Sequence, residues 1–173
     1  AAADRHEDAM PIFREVIDRA ASSPQMGLVH GNTWAYRGNM ANSMMEAGRC
    51  EEAEALLAEL VSQTDAVALP YEHPEAVRTR HLWARSLACL DRREEAQAIW
   101  EETIATGSEA DGFNEYYLAA FRAAYGEQLV VWGEAERGNE LLREARDAFL
   151  RLQGPDSERV RKINAILAAM VGP

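Results

Sequence analysis

The chain has 173 residues, 47% of them hydrophobic, and a formal net charge of -11. That is enough apolar material for one ordinary core, and too acidic a balance for nucleic acid or anionic membrane as partner without a strong local basic patch. No window approaches the roughly 20 apolar residues of a membrane span, no export signal opens the chain, and Cys50 and Cys89 are too few for a disulfide scaffold; a reducing, cytoplasmic setting is expected.

Hydrophobic periodicity predicts eight helices in chain order, at 4–20, 32–47, 50–64, 75–90, 92–106, 113–132, 134–152 and 156–170. Ala, Glu, Leu and Arg dominate these segments and alternating β-branched runs are missing, so no strands are expected. Short connectors carry Gly48, Asp91 and Gly133 where a helix end calls for a left-handed residue. The longer ones, Gln25 to Asn32, Pro70 to Pro74, Gly107 to Gly112 and Gly154 to Ser157, are built from helix-stopping and helix-starting residues. His30 and His73 precede first helices at similar places and are read as turn formers.

The second helices repeat. EAGRCEEAEALL at 46–57, CLDRREEAQAIW at 89–100 and VWGEAERGNELL at 131–142 superpose without gaps, so Ala53, Ala96 and Gly138 follow one another at steps of 43 and 42 residues, with Ala9 a further 44 upstream. Twelve residues before each of the three stand Ala41, Ala84 and Gly126, preceded by Met40, Trp83 and Tyr125 and followed by Met44, Leu87 and Leu129. Large, small, large at this spacing falls on one helix stripe, where the small residue lets a second backbone approach. The expected architecture is all-α: a right-handed solenoid of antiparallel helix hairpins over 1–173, with a half repeat at 4–22, repeats at 32–64, 75–106 and 113–152, and a capping helix at 156–170. Arg37, Arg80 and Arg122 recur at one slot, and their stems are expected to pack between helices while the guanidinium groups reach neighbouring acids.

These segments, NMANSMMEAGRCEEAEALL at 39–57 above all, resemble the tetratricopeptide repeat in its long-period, kinesin-light-chain-like bacterial form. HPEAVRTRHLWARSL at 73–87 and GPDSERVRKINAILA at 154–168 resemble that repeat's Pro-containing entry into a first helix. The resemblance covers nearly the whole chain. It implies a scaffold that binds a protein or peptide along a wall of first helices, and asparagines at the slots of Asn39 and Asn42 that hold an extended peptide by its backbone. An amide offers both donor and acceptor, which suits a peptide group of any sequence.

On the same stripe of the next first helix lie Arg78, His81 and Arg85, expected to bind a carboxylate or acidic side chain. Ala35 and Gly38 before them, and Ala120 and Ala123 after, leave room; Glu127 completes the third stripe. The competing reading is a solvated basic face paired with Glu46, Glu75 or Glu127. The co-chaperone carboxylate clamp is not matched, because Gly38, Asn42 and Leu82 stand at its slots without a lysine network.

No enzyme, cofactor or metal is expected. The four histidines form no helical metal pair, and His81 and Cys89, eight residues apart on one helix, are separated by about 12 Å of rise. Phe113, Tyr116, Tyr117, Phe121 and Tyr125 read as packing on an extended first helix. Because the chain opens inside a repeat, it is expected to be a piece of a longer one, with Gly172 and Pro173 as a natural end. The alternative function is therefore a ligand- or partner-sensing regulatory C-terminal module of a bacterial Ser/Thr kinase or transcription regulator.

Overall fold

A computed structural model describes residues 2–23, 25, 27, 30–67 and 73–171, with the backbone alone for 2–5 and 171. Met26, Leu28 and Val29 of the connector expected at Gln25 to Asn32, Pro70, Tyr71 and Glu72 of that at Pro70 to Pro74, and the chain end at Gly172 and Pro173 lie outside the described residues. Among the described residues there are eight helices and no strands: α1 (Ala2–Ala21), α2 (Gly31–Glu46), α3 (Cys50–Ala66), α4 (Pro74–Cys89), α5 (Arg93–Glu109), α6 (Glu115–Val131), α7 (Ala135–Gln153) and α8 (Glu158–Val171). Two compact units divide them at Ile99 and Trp100, within α5.

In the first unit α1 packs on α2, α2 on α3, α3 on α4, and the two first helices α2 and α4 touch each other. Its core holds Met10, Trp34, Met40, Ala41, Met44, Ala53, Leu57, Leu60 and Leu82. Ala41, Ala53, Ala84 and Ala96 are all 0% exposed, as the small-residue register requires. The backward extension of the register is weaker, since Ala9 is half-buried while its neighbour Met10 is buried.

In the second unit α6 packs on α7 and α7 on α8. Gly126 and Gly138 mark the closest approach: a Cβ on Gly138 would lie 2.8 Å from the Gly126 carbonyl oxygen, and one on Gly126 would lie 3.0 Å from that of Gly138. Leu142 lies against Gly126 at this crossing, and Leu129, Leu142 and Phe149 are fully buried. Trp100 stacks on Tyr125 with ring centroids 5.1 Å apart, and Tyr116 meets Phe149 edge-on at 5.6 Å.

The three short connectors have one geometry. Arg49 N donates to Met44 O at 2.8 Å, Arg92 N to Leu87 O at 2.9 Å, and Glu134 N to Leu129 O at 2.8 Å, each around a left-handed residue, Gly48, Asp91 or Gly133. This is the six-to-one closure that satisfies orphan carbonyls at a helix end. His30, His73 and Asn114 cap the next first helices by accepting from the backbone N–H two residues on. The position of the two histidines before a helix was legible and the bond was not, while Asn114 was expected inside the helix that it caps.

The recurring arginines behave alike. Arg37 pairs with Glu59 at 2.9 Å and Gln63 at 2.8 Å, Arg80 with Asp65, and Arg122 with Glu144 at 3.0 Å, each guanidinium reaching an acid on a second helix. Arg37 and Arg80 are themselves buried, with their stems used as packing.

Three expectations are corrected. Helix α5 runs through Gly107 to Glu109, because Phe113 and Leu118 pack against that glycine and hold it in the helix. Helix α6 begins at Glu115 and has 17 residues, so it is no longer than its neighbours; Phe113 sits in the preceding loop beside Phe121. The cysteines are not free thiols: Cys50, opening α3, and Cys89, closing α4, form a disulfide with Cα atoms 6.0 Å apart. Counting cysteines could not foresee this, since the meeting of those two helix ends is a consequence of α3 packing on α4.

Adding one methyl group at the α6–α7 crossing should destabilise the chain. Gly138→Ala is expected to cost about 1–3 kcal/mol through overpacking, outweighing a helix-propensity gain of about 1 kcal/mol. Gly31→Ala, where no atom lies within 4 Å of the new Cβ, should be neutral or slightly stabilising. Thermal melts followed by circular dichroism compare the two; equal melting temperatures would contradict the crossing.

Candidate site on the wall of first helices

All five residues singled out by the sequence lie in the first unit, where α2 and α4 adjoin. Asn39 and Asn42 project from α2, and Arg78, His81 and Arg85 from successive turns of α4. The structure brings four of them together in pairs: Arg78 Nη2 donates to Asn39 Oδ1 at 2.6 Å, and Arg85 Nη1 donates to Asn42 Oδ1 at 2.5 Å. The amide oxygens are therefore committed to the arginines, while the Nδ2 donors of both amides have no protein partner among the described residues.

Two acids approach the same guanidinium groups without a forked contact. Glu46 lies 3.3 Å from Arg85 Nη2, and Glu75 lies 3.6 Å from Arg78 Nη1. By contrast Arg49 grips Glu52 through Nε at 2.7 Å and Nη2 at 2.6 Å, and Arg92 grips Glu95 in the same two-pronged way. Forked pairs of that kind are the stronger. The pairings of the solvated-face reading are present for Glu46, which accepts from Arg85, and for Glu75, which pairs with Arg78, whereas Glu127 pairs with Lys162 at 2.8 Å in the second unit. Arg78 and Arg85 keep 22% and 31% of their side chains exposed, so a ligand can reach them.

Two placements differ from the expectation. Gly38 does not leave an open berth: a Cβ there would meet Leu82 at 3.2 Å and Arg78 Nη1 at 3.3 Å, so the glycine makes room for Arg78 itself. His81 is not a surface residue but only 7% exposed, on α4 between Arg78 and Arg85 in the chain. Burial, with the positive charges of Arg85 and Arg78 beside it, holds its imidazole well below the usual value near 6.5. At neutral pH the wall therefore carries two charges, not three. In the second unit the corresponding stripe has no such cluster, since Ala123 packs into the core against α8.

The histidine imposes a pH dependence on stability. The folded chain disfavours the imidazolium, so as pH falls through about 6.5 the unfolded chain binds the proton first and stability declines; well above that pH both states are neutral and the group contributes nothing. His81→Gln should lose less melting temperature than the native chain between about pH 7.5 and about pH 5.5. Equal losses in paired thermal melts would mean that His81 takes up its proton in the fold as freely as in the unfolded chain.

No family model matches the chain, and no curated protein matches it. Solved structures do. BtubC (BKLC) from P. vanneervenii superposes with a TM-score of 0.73 at 21% identity, over 98% of this chain and 66% of that one. A Podosopora anserina protein whose nearly identical TPR-like repeats are of kinesin-light-chain type superposes with a TM-score of 0.68 at 18% identity, over 96% of this chain and 78% of that one.

Proposed function

We propose that this chain, an all-α solenoid with the TPR-like repeat fold, is a non-catalytic interaction scaffold that holds an extended peptide or protein segment against α2 and α4. The observation that carries this reading is the double arginine–asparagine pairing. It positions two guanidinium groups and two amide donors along one face, and each arginine still has N–H donors beyond the single short bond it makes.

The arrangement suits a ligand with a carboxylate, either an acidic side chain or a free C-terminus. An incoming carboxylate can take the forked geometry that Glu46 and Glu75 do not reach, displacing them from their long contacts. The Nδ2 groups of Asn39 and Asn42 would then donate to peptide carbonyls whatever the side chains. The neutrality of His81 spares the site a buried charge beside the two arginines. Affinity would be concentrated in these few anchors rather than spread over the wall.

The test is an array of acidic peptides with free and amidated C-termini, read by fluorescence anisotropy. Acidic peptides should bind the native chain, and Arg78→Glu with Arg85→Glu should weaken them by about tenfold or more, with helical circular dichroism retained. Binding that the double variant leaves unchanged would remove these residues from the site, and an array without binders would remove the reading itself.

A further inference from the structure

The Cys50–Cys89 disulfide has no part in the site just described, yet it lies beside it. Cys89 follows Arg85 by four residues on α4, about 6 Å of helix rise and the same face. Cys50 begins α3 just beyond the Ala47–Arg49 connector, which closes the helix carrying Asn42 and Glu46. The bond thus ties the Arg85 end of α4 to the connector at the Asn42 end of α2, with Cα atoms 6.0 Å apart. Cys50 is 7% exposed, whereas Cys89 is exposed to solvent.

We propose that Cys50 and Cys89 form a reversible thiol–disulfide staple that controls the order of the α2–α4 wall. The inference rests on the peptide-binding reading only for its consequence on binding; the staple itself stands on the geometry of the two helix ends. Closed, the bond holds the last turn of α4 in place. Open, that turn keeps its buried Ser86 and Leu87, the Arg92 N to Leu87 O closure, the Arg92–Glu54 pair at 3.2 Å and the Arg85–Glu46 hydrogen bond at 3.3 Å. The residues beyond Leu87, Cys89 among them, are the ones left to fray, since exposed helix ends open at low free energy.

The chemistry needs a small thiol, such as glutathione, and its disulfide. The thiolate of the small thiol attacks Sγ of Cys89, the exposed sulfur, so that a mixed disulfide forms there as the Cys50–Cys89 bond breaks. Cys50 leaves as a thiolate, favoured by the free N–H groups at the start of α3, and takes a proton from solvent. A second small thiol attacks the outer sulfur of the mixed disulfide, releasing Cys89 and the small-molecule disulfide. In sum, two small thiols are oxidised to one disulfide and their two protons end on Cys50 and Cys89. Closure is the same sequence reversed, with the small-molecule disulfide as oxidant.

This device also reconciles a disulfide with the reducing compartment that the sequence suggested, because bonds that form and break there serve sensing rather than scaffolding.

The experiment compares oxidised chain, glutathione-reduced chain and the Cys50→Ser, Cys89→Ser double variant, using thiol alkylation with intact mass, hydrogen exchange and thermal melts. Glutathione should expose two alkylatable thiols while helical circular dichroism persists. In both bond-free forms, exchange across 42–52 and 82–92 should be about tenfold faster with the rest unchanged, and melting should fall by about 5–12 °C. A bond that yields only when the chain unfolds, absence of the bond after mild oxidation, or equal exchange in all three forms would overturn the proposal. Peptide affinity is measured separately on each form: a staple that opens as described in a chain that binds no peptide defeats the binding reading alone.

Discussion

The structure depends on how closely helix backbones can approach at three small-residue crossings. Where Gly126 faces Gly138 the carbonyl oxygens come so near that a single added carbon would lie 2.8 Å away. Alanines hold the same register in the first unit, and there too the positions are sealed from solvent. Close approach brings large neighbours such as Leu57, Leu87, Leu129 and Leu142 into full burial, and that burial is the main favourable term available to a chain built only of helices. It also leaves the outer stripes of first helices free for polar side chains.

Three of the settings in which arginine appears differ in ways that follow from geometry. At the recurring slot the stem is buried and the guanidinium meets an acid on a second helix. At the connectors it is exposed and forked onto a glutamate three residues on, a local pair worth little to stability. On the α2–α4 wall it is partly exposed and bonded to an amide, with single-pronged contacts to Glu46 at 3.3 Å and Glu75 at 3.6 Å. Of the three, only the last leaves strong donor capacity unspent where a ligand can arrive. Gly38 is part of this arrangement, because a Cβ there would crowd Leu82 at 3.2 Å and Arg78 Nη1 at 3.3 Å.

His81 and the disulfide bracket the same few turns of α4. The first makes that helix sensitive to acid, through a buried imidazole between two fixed charges. The second ties its last residue to the start of α3. Both act on the segment that presents Arg85, so conditions outside the chain have two routes to the order of one face.

Much of this was readable from residue order alone. Local chemistry decides where a helix starts and stops, so the left-handed residues Gly48, Asp91 and Gly133, the capping positions of His30 and His73, and the forty-odd-residue recurrence of small side chains were all visible in one dimension. The slot shared by Arg37, Arg80 and Arg122 was visible for the same reason: repetition converts a contact into a pattern. What tertiary structure alone decided are the contacts made once. Nothing in the sequence distinguishes Gly38 as the seat of Arg78, buries His81 beside two arginines, or brings Cys50 to Cys89, because each depends on which stripes of two distant helices meet and at what height. Periodicity determines which face of a helix is covered; only packing determines what covers it.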